Sequence, residues 1–500
     1  MKREAVPVVD LFAGAGGLTE GFAALKGFEV AMSIEMEPTA YRTLRLRSFL
    51  HKFPAGFPPE YYAFLNGDVA REPDWLSLYP HEWREACDNT RCLKLGTSDA
   101  DTFIRARVAK LRAAHGGRTV LVGGPPCQSY SVKRRRSNSN LDMDARQTLY
   151  MEFVKVLAQL QPAVAVMENV RGILSARHLG RPVIGDVMKA LTNAGGKARY
   201  RLVSLAPPVK GRALDTSLNP KEFLVRSEDH GVPQARHRVF LVCVRSDLAA
   251  SLPPLDMSEH RVSVHDAIGG MPKLRSRLGK NDSNDTWRQA LNRARKLAEC
   301  DVPPDIAKAF LLALDAAFKA TQGNLPYRDA SGGTGFPDTC HADLRDWLFD
   351  PNLKRLPNNE ARSIMAADMG RYLYATAFAI ATGKSPLTLD FPRSLASRHK
   401  SWDTGKFTDR FRVQLGGQPA TTIISHLSHE GHSAIHPDPG QCRSLTVREA
   451  ARLQTFPDNY FFQGSRTQQY AQVGNAVPPY LARQIATQIG GIINERKDND

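Results

Sequence analysis

Through the first half of the chain, short apolar runs alternate with longer amphipathic stretches, the pattern of an open parallel sheet covered by helices. The predicted strands are Val6–Leu11, Glu29–Ile34, Thr119–Val122, Ala163–Met167, Arg201–Leu205 and Val239–Val244. Helical periodicity fills gaps between them, for example at Leu18–Leu25 and Thr148–Leu160. The texture changes near Ser251–Pro254. From there to about Gln441 polar loops dominate, with glycine clusters at Ser331–Gly335 and Gly416–Gly417. Two helical stripes stand out in this middle stretch. Ile306, Phe310, Leu314 and Phe318 recur every four residues, and a second run covers Ser363–Thr382. Both read as packing faces. Thr446–Ile493 returns to strong helical periodicity ahead of a polar tail, Asn494–Asp500. The expected organisation is α/β, with one large unit over 1–255, a smaller one over 256–440, and a helical stretch over 441–500.

Composition narrows the partner. Apolar residues make up 42% of the 500 and charged residues 24%, which describes a globular protein. No stretch approaches the roughly 18 uninterrupted apolar residues of a membrane span, so a soluble, cytoplasmic chain is expected. Lysine and arginine number 67 against 51 acids, a formal charge of +16. Basic surface draws in polyanions by displacing counterions from phosphates; the plainer alternative is a solubility device. Seven cysteines without a CxxC pair argue against a disulfide scaffold or a zinc ribbon, and no metal is expected. Cys87 and Cys92 lie in a polar stretch with no matching second pair.

Four segments carry chemistry. Asp10–Gly17 (DLFAGAGG) follows an apolar strand and precedes a helix. Its glycines permit positive φ and close backbone approach to a ligand. A carboxylate at the next strand's end, Glu35 or Glu37, is placed to bind ribose hydroxyls. This describes nucleoside binding without choosing the nucleoside, and a tight turn with no ligand is the alternative. The second segment, Gly123–Ser131 (GGPPCQSYS), holds Cys127 just beyond a strand, where prolines that cannot join a sheet ladder argue against a core position. Cys127 is therefore a candidate nucleophile. Third, Glu168 follows a fully apolar run at a strand exit, on the edge where Cys127 is expected, and partial desolvation there suits acid–base work. Fourth, Arg236 and Arg238 are two apart on an extended segment and point the same way, suited to a phosphate or a base edge; His237 faces away.

Together these segments resemble the DNA cytosine-5 methyltransferases. Asp10–Gly17, Gly123–Ser131, Met167–Val170 and Gln234–Arg238 appear in that family's order, followed by Arg448–Gln454 and Gly474–Pro479. The resemblance covers residues 6–250 and about 408–490. It implies a class I methyltransferase, a Rossmann-like parallel sheet with helices on both faces, plus a smaller target-recognition domain. Residues 1–255 would be the catalytic domain and 256–440 the recognition domain, while 441–500 would return to the catalytic domain. A helical insertion at 286–382 has no counterpart in the family. The closing part of the recognition domain resembles Phe411–Val413 and Pro419–Ile423. Arg371–Arg412 carries eight lysines and arginines against three acids, which suits DNA contact.

The implied cofactor is S-adenosylmethionine. By the resemblance its pocket is shaped by Phe12, Ala13, Gly14, Gly16 and Gly17 and lined by Met36 and Pro125. Glu35 would bind the ribose and Asp68 would lie near the adenine amino group. Asn475 and Val477 would close the pocket from the C-terminal segment. The stretch from Asp68 to Thr119 is longer than the family's pattern. The implied partner is double-stranded DNA with the target cytosine flipped out of the stack. Cys127 would add to its carbon 6, with Arg236 or Arg238 favouring the thiolate and Glu168 contacting N3 and the exocyclic amine. The loop carrying Lys133–Arg136 would close over the DNA, the alternative being a solvated charge run; Asp144–Leu149 matches the start of the next helix. A prokaryotic restriction–modification or related anti-phage system is the expected setting, with a cognate restriction endonuclease or defence components as further partners. Three other readings stand beside this one. A tRNA cytosine-5 methyltransferase of the same family would lack the long middle segment. A silent DNA-binding protein would not need Cys127 and Glu168. A nicotinamide oxidoreductase rests on the glycine loop alone.

Overall fold

A computed structural model describes residues 4–126, 149–178, 180–195, 199–207, 219–248, 252–279, 281–321, 324–329, 333–397, 402 and 408–495. Cys127, Lys133–Arg136 and Asp144–Arg146 lie outside them.

Eight strands form the central sheet: β1 Val6–Leu11, β2 Phe28–Glu35, β3 Thr90–Cys92, β4 Val120–Gly123, β5 Val164–Val170, β6 Tyr200–Val203, β7 Leu224–Arg226 and β8 His237–Arg245. Their order is β3-β2-β1-β4-β5-β8-β6, with β7 also paired to β8. Strands β3, β2, β1, β4 and β5 run parallel, so their C-terminal ends share one edge. The sheet is mostly parallel, as expected, and β8 alone runs against it, antiparallel to β5, β6 and β7. An apolar run looks the same in either direction, so hydropathy gives no strand polarity. The two strands that the sequence pattern missed, β3 and β7, are three residues each, too short to display a period.

The strands are apolar on both faces because both are covered. One face sends Val9, Leu11, Leu121, Ala165, Met167, Leu241 and Cys243 against helices Ser98–His115, Leu149–Leu160 and Val183–Asn193. The other sends Val8, Val120, Val122, Val164, Val166, Phe240 and Val242 against α1 (Gly17–Ala23) and the last helix, Pro479–Glu495. Thus the chain's end completes the core that its beginning opens. The contact is close: a Cβ at Gly17 would overlap the Val477 carbonyl, and one at Gly21 would lie 2.5 Å from the Ala482 Cβ.

The long stretch between Asp68 and Thr119 has a structural explanation. Short helices Pro59–Asn66, Trp75–Leu78 and Pro80–Asn89 form an extra outer layer ahead of β3. Its aromatic core joins Phe49, Tyr61, Leu65 and Trp75 to Leu353 of the middle segment. In that middle segment, helices Asn284–Ala298, Ala307–Ala320 and Ala366–Thr382 share a core of Trp287, Leu291, Phe310, Leu314, Leu373 and Tyr374. The first of these helices opens the expected helical insertion but shows no clear apolar stripe, since three of its five buried positions are alanines set among arginines and lysines. No helix among the described residues is long and apolar enough to cross a membrane.

Two helical glycines should respond oppositely to alanine. Gly21→Ala drives a methyl into Ala482 and should destabilise by about 1–3 kcal/mol. Gly491, in the last helix, has nothing within 4 Å of a Cβ, so Gly491→Ala should stabilise by up to about 1 kcal/mol. Urea unfolding of the two variants checks the pair, and equal signs would refute the packing account.

Candidate active site

Strand β1 ends in a loop where Phe12, Gly14 and Gly16 all take positive φ (58°, 57° and 88°). Each glycine of this loop answers a different demand. Around Gly14 a Cβ would meet nothing within 4 Å, so the loop faces open space there. At Gly16 a Cβ would stand 2.7 Å from Leu44 and 3.0 Å from the Tyr460 hydroxyl. Gly17 is fixed by Val477, as above. Only Gly14 leaves room for a ligand, and the other two glycines answer to the protein's own packing. Ala13 is buried and donates its amide to the Ile34 carbonyl at 3.0 Å.

Glu35 ends β2 beside this loop. Its carboxylate accepts from the Gly14 amide and from the Glu37 amide, both at 2.8 Å. Burial raises its pKa, and these backbone donors oppose the rise. Met36 follows on the rim, 56% exposed. The Glu37 side chain caps the next helix by accepting from the Ala40 amide, so only its main chain joins this corner. The strand residue in register with Glu35 is Cys92, and the Leu93 amide donates to the Glu35 carbonyl at 3.0 Å. Asp68 is not brought to this edge by β3. It follows helix Pro59–Asn66 in the outer layer, lies exposed, and faces Lys354 at 3.6 Å.

Asp10 was legible only as the first letter of the loop motif. It is fully buried, with Oδ2 accepting from the Thr19 hydroxyl at 2.6 Å and Oδ1 without a protein partner. Burial pushes its carboxyl up to about 7 against the Thr19 bond, and the charge of Glu35 adds to the rise.

Beside β1, β4 leads into Gly124, Pro125 and Pro126, the residues just ahead of Cys127. Pro125 is buried, and its carbonyl accepts from Asn169 at 3.4 Å. A Cβ at Gly124 would lie 3.0 Å from Glu168 Oε2, so Gly124, just ahead of the two prolines, lies close against Glu168. Opposite, on β8, Arg238 presents Nε to Glu168 Oε1 at 2.9 Å, with both side chains largely buried. Burial lowers the Arg238 pKa and the Glu168 carboxylate opposes that.

Arg236 differs from Arg238. It is 1% exposed and donates to the carbonyls of Ile423 (3.0 Å) and Gly474 (3.2 Å), so two of its three nitrogens are committed to main chain. The expectation that both arginines grip a substrate holds no support in this geometry for Arg236. Two-residue spacing gave the shared direction but not the depth. His237 pairs with the buried Glu228 at 2.7 Å. The same segment meets the far chain again: Gln234–Ala235 pairs in parallel with Ala420–Thr421, and the Ile423 amide donates to Gln234 Oε1 at 2.8 Å. Gln234 also donates to Gln454, whose amide reaches the Ala476 carbonyl. These bonds set Val477, buried against Gly17, beside the glycine loop, while Asn475 lies exposed at the end of helix Arg466–Asn475. No group of three or more His, Cys, Asp or Glu among the described residues is placed to hold a metal ion.

A family model for C-5 cytosine-specific DNA methylases matches residues 112–301 and 349–491, well over half of the chain. The chain belongs to this family. It is 29% identical to type II methyltransferase M.Bpa9945I of Bacillus paralicheniformis over 97% of its length and 99% of the relative's. It is 26% identical to type II methyltransferase M.DdeI of Desulfomicrobium norvegicum, covering 96% of this chain and 88% of that one. The DNA (cytosine-5-)-methyltransferase M.ApeKI of Aeropyrum pernix is 24% identical over 97% of this chain and 98% of its own. Among solved structures, an Escherichia coli prophage protein described as a DNA modification methyltransferase superposes with TM-score 0.51 at 19% identity, covering 98% and 100% of the two chains. That likeness speaks to the fold alone. The family is one of methyl-transferring enzymes, and the class I sheet expected from the motifs is the sheet observed.

An acid that holds its proton more tightly when folded costs stability as pH rises from its unfolded pKa toward its folded one. For Asp10 that window runs from 3.8 to about 7. Asp10→Asn should therefore gain stability relative to the native chain as pH rises from about 4 to about 7. Thermal melts across that range check it; a constant gap would show that Asp10 does not carry the shift.

Proposed function

We propose that this DNA cytosine-5 methyltransferase methylates carbon 5 of a flipped-out cytosine at a specific duplex site, using S-adenosylmethionine. The observation that carries the reading is the pairing of two features on one sheet edge. At the ends of β1 and β2 lies an open corner made by Gly14 and the buried Glu35. At the ends of β4 and β5, Glu168 is held by Arg238 and lies against Gly124, three residues ahead of Cys127.

The residues fit the cofactor. Open space over Gly14 admits a ligand to the backbone, and a carboxylate at the second strand's exit is the partner a ribose diol needs. Phe12, Ala13, Gly16, Met36, Pro125, Asn475 and Val477 complete the corner in this proposal, and Asp68 is left out of it. Bound there, S-adenosylmethionine supplies an electrophilic methyl group.

Carbon 5 of cytosine is a weak nucleophile. In the proposed sequence the Cys127 thiolate adds to carbon 6, which turns the ring into an enamine at carbon 5. Arg238, a buried cation at this edge, favours the thiolate. Glu168 holds the N3 side of the ring, and Arg238 fixes the orientation of its carboxylate. Loss of the carbon 5 proton, with elimination of the thiol, ends the cycle. Arg236 acts at one remove, by anchoring the segment that carries Arg238.

Residues 256–440 would read the DNA, and the formal charge of +16 supports a polyanionic partner. The names of the relatives, type II methyltransferases, support a place in a restriction–modification system.

Cys127→Ser should abolish methyl transfer and retain DNA binding, read by tritiated methyl incorporation beside a gel-shift titration. Glu168→Gln should slow single-turnover chemistry by about 100-fold or more. A duplex carrying 5-fluorocytosine at the target should trap the native chain covalently; cofactor binding without any trapped adduct would overturn the mechanism. Asp68→Ala should leave S-adenosylmethionine affinity unchanged in calorimetric titration, and a clear loss would restore Asp68 to the pocket.

A further inference from the structure

We propose that Tyr460 is a positioning residue for the cofactor loop, tethering it through the Ala15 carbonyl from the far end of the chain. The inference rests on the reading of Gly14 and Glu35 as the S-adenosylmethionine corner, and it adds a residue that the motifs do not assign.

Within the loop one bond closes the turn, from the Gly16 amide to the Ala13 carbonyl at 2.9 Å, and Gly14 and Ala15 between them are held from outside. Positive φ at Phe12, Gly14 and Gly16 places it where glycines are free to move, so its shape also depends on tethers from outside. Two side chains supply them on adjacent residues. Glu35 accepts from the Gly14 amide at 2.8 Å, and the Tyr460 hydroxyl donates to the Ala15 carbonyl. The same hydroxyl would stand 3.0 Å from a Cβ at Gly16, so it also bounds the next residue.

Tyr460 is itself immobilised. It is 1% exposed, and its ring packs against Phe456 and Phe462 with centroids at 4.8 and 5.3 Å. The Arg47 guanidinium lies 4.8 Å over the ring and pairs with Glu20 of α1, the helix that follows the loop. Its neighbour Asn459 accepts from Arg47 at 3.0 Å and from the Tyr61 hydroxyl at 2.6 Å, and donates to Asp350 at 2.6 Å. A hydroxyl held this rigidly transmits its position to the carbonyl it bonds. Tyr460→Phe removes one oxygen without adding volume, so it releases the tether and keeps the packing.

The test is calorimetric titration of S-adenosylmethionine into the full chain, with steady-state KM measured separately for cofactor and DNA. Tyr470→Phe is the control: Tyr470 is equally buried and donates to the Leu445 carbonyl at 2.6 Å, not to the loop. Tyr460→Phe should weaken cofactor binding about tenfold, equivalent to about 1.4 kcal/mol. KM for DNA should not change. Tyr470→Phe should lower Tm to a similar degree and keep cofactor affinity. Equal affinity for the native chain and Tyr460→Phe would overturn the proposal and leave the cofactor reading standing, as would an equal loss in both variants. A native chain that binds no S-adenosylmethionine would overturn both.

Discussion

A buried guanidinium without acceptors is too costly to keep, and Arg236 finds its acceptors only in distant chain. The carbonyls it bonds, Ile423 and Gly474, lie 187 and 238 residues away. The remaining bonds follow the same route. Gln234 takes the Ile423 amide and gives to Gln454, and Gln454 reaches Ala476. All of these groups are buried, so opening the junction would strand several polar groups at once. That penalty joins a sheet laid down by the first 245 residues to a segment within the last eighty or so. Without it, Val477 would have no fixed place beside the glycine loop.

Other buried ion pairs stiffen the returning segment. Arg443 meets Glu449 at 2.6 Å with both side chains 1% exposed, and Arg452 meets Asp458 at 2.8 Å with both fully buried. Such pairs contribute little net stability, because desolvation offsets the attraction. Their directionality matters more, since each bonding geometry admits few alternatives. The site inherits that rigidity. Its two corners hang on strand ends of one sheet, and the glycine loop of the first is held both by Glu35 at the end of β2 and by Tyr460 from outside the sheet.

How much was readable follows from what each signal encodes. Strands β1, β2, β4, β5 and β8 were legible because burial on both faces leaves continuous apolar runs. Glu35 and Glu168 were legible because each acid closes such a run. Asp68 came from the resemblance alone; it follows a helix of the outer layer, and the third strand of the sheet is Thr90–Cys92. Arg236 misled because alternation gives direction without depth. Tyr460 gave no signal at all, being one aromatic among several in a buried stretch.

The sequence by itself determined the chemistry on offer: a glycine loop, an acid at each of two strand exits, a cysteine behind two prolines, and the family these imply. Local residue type and spacing suffice for that, since each motif is contiguous. Tertiary structure alone decided which groups act together and which merely hold them. It separated Arg238 at Glu168 from Arg236 in the junction, and Gly14 in open space from Gly16 and Gly17 against protein. The physical reason is that hydrogen-bond partners and free volume are set by residues hundreds of positions apart, and no local pattern carries that distance.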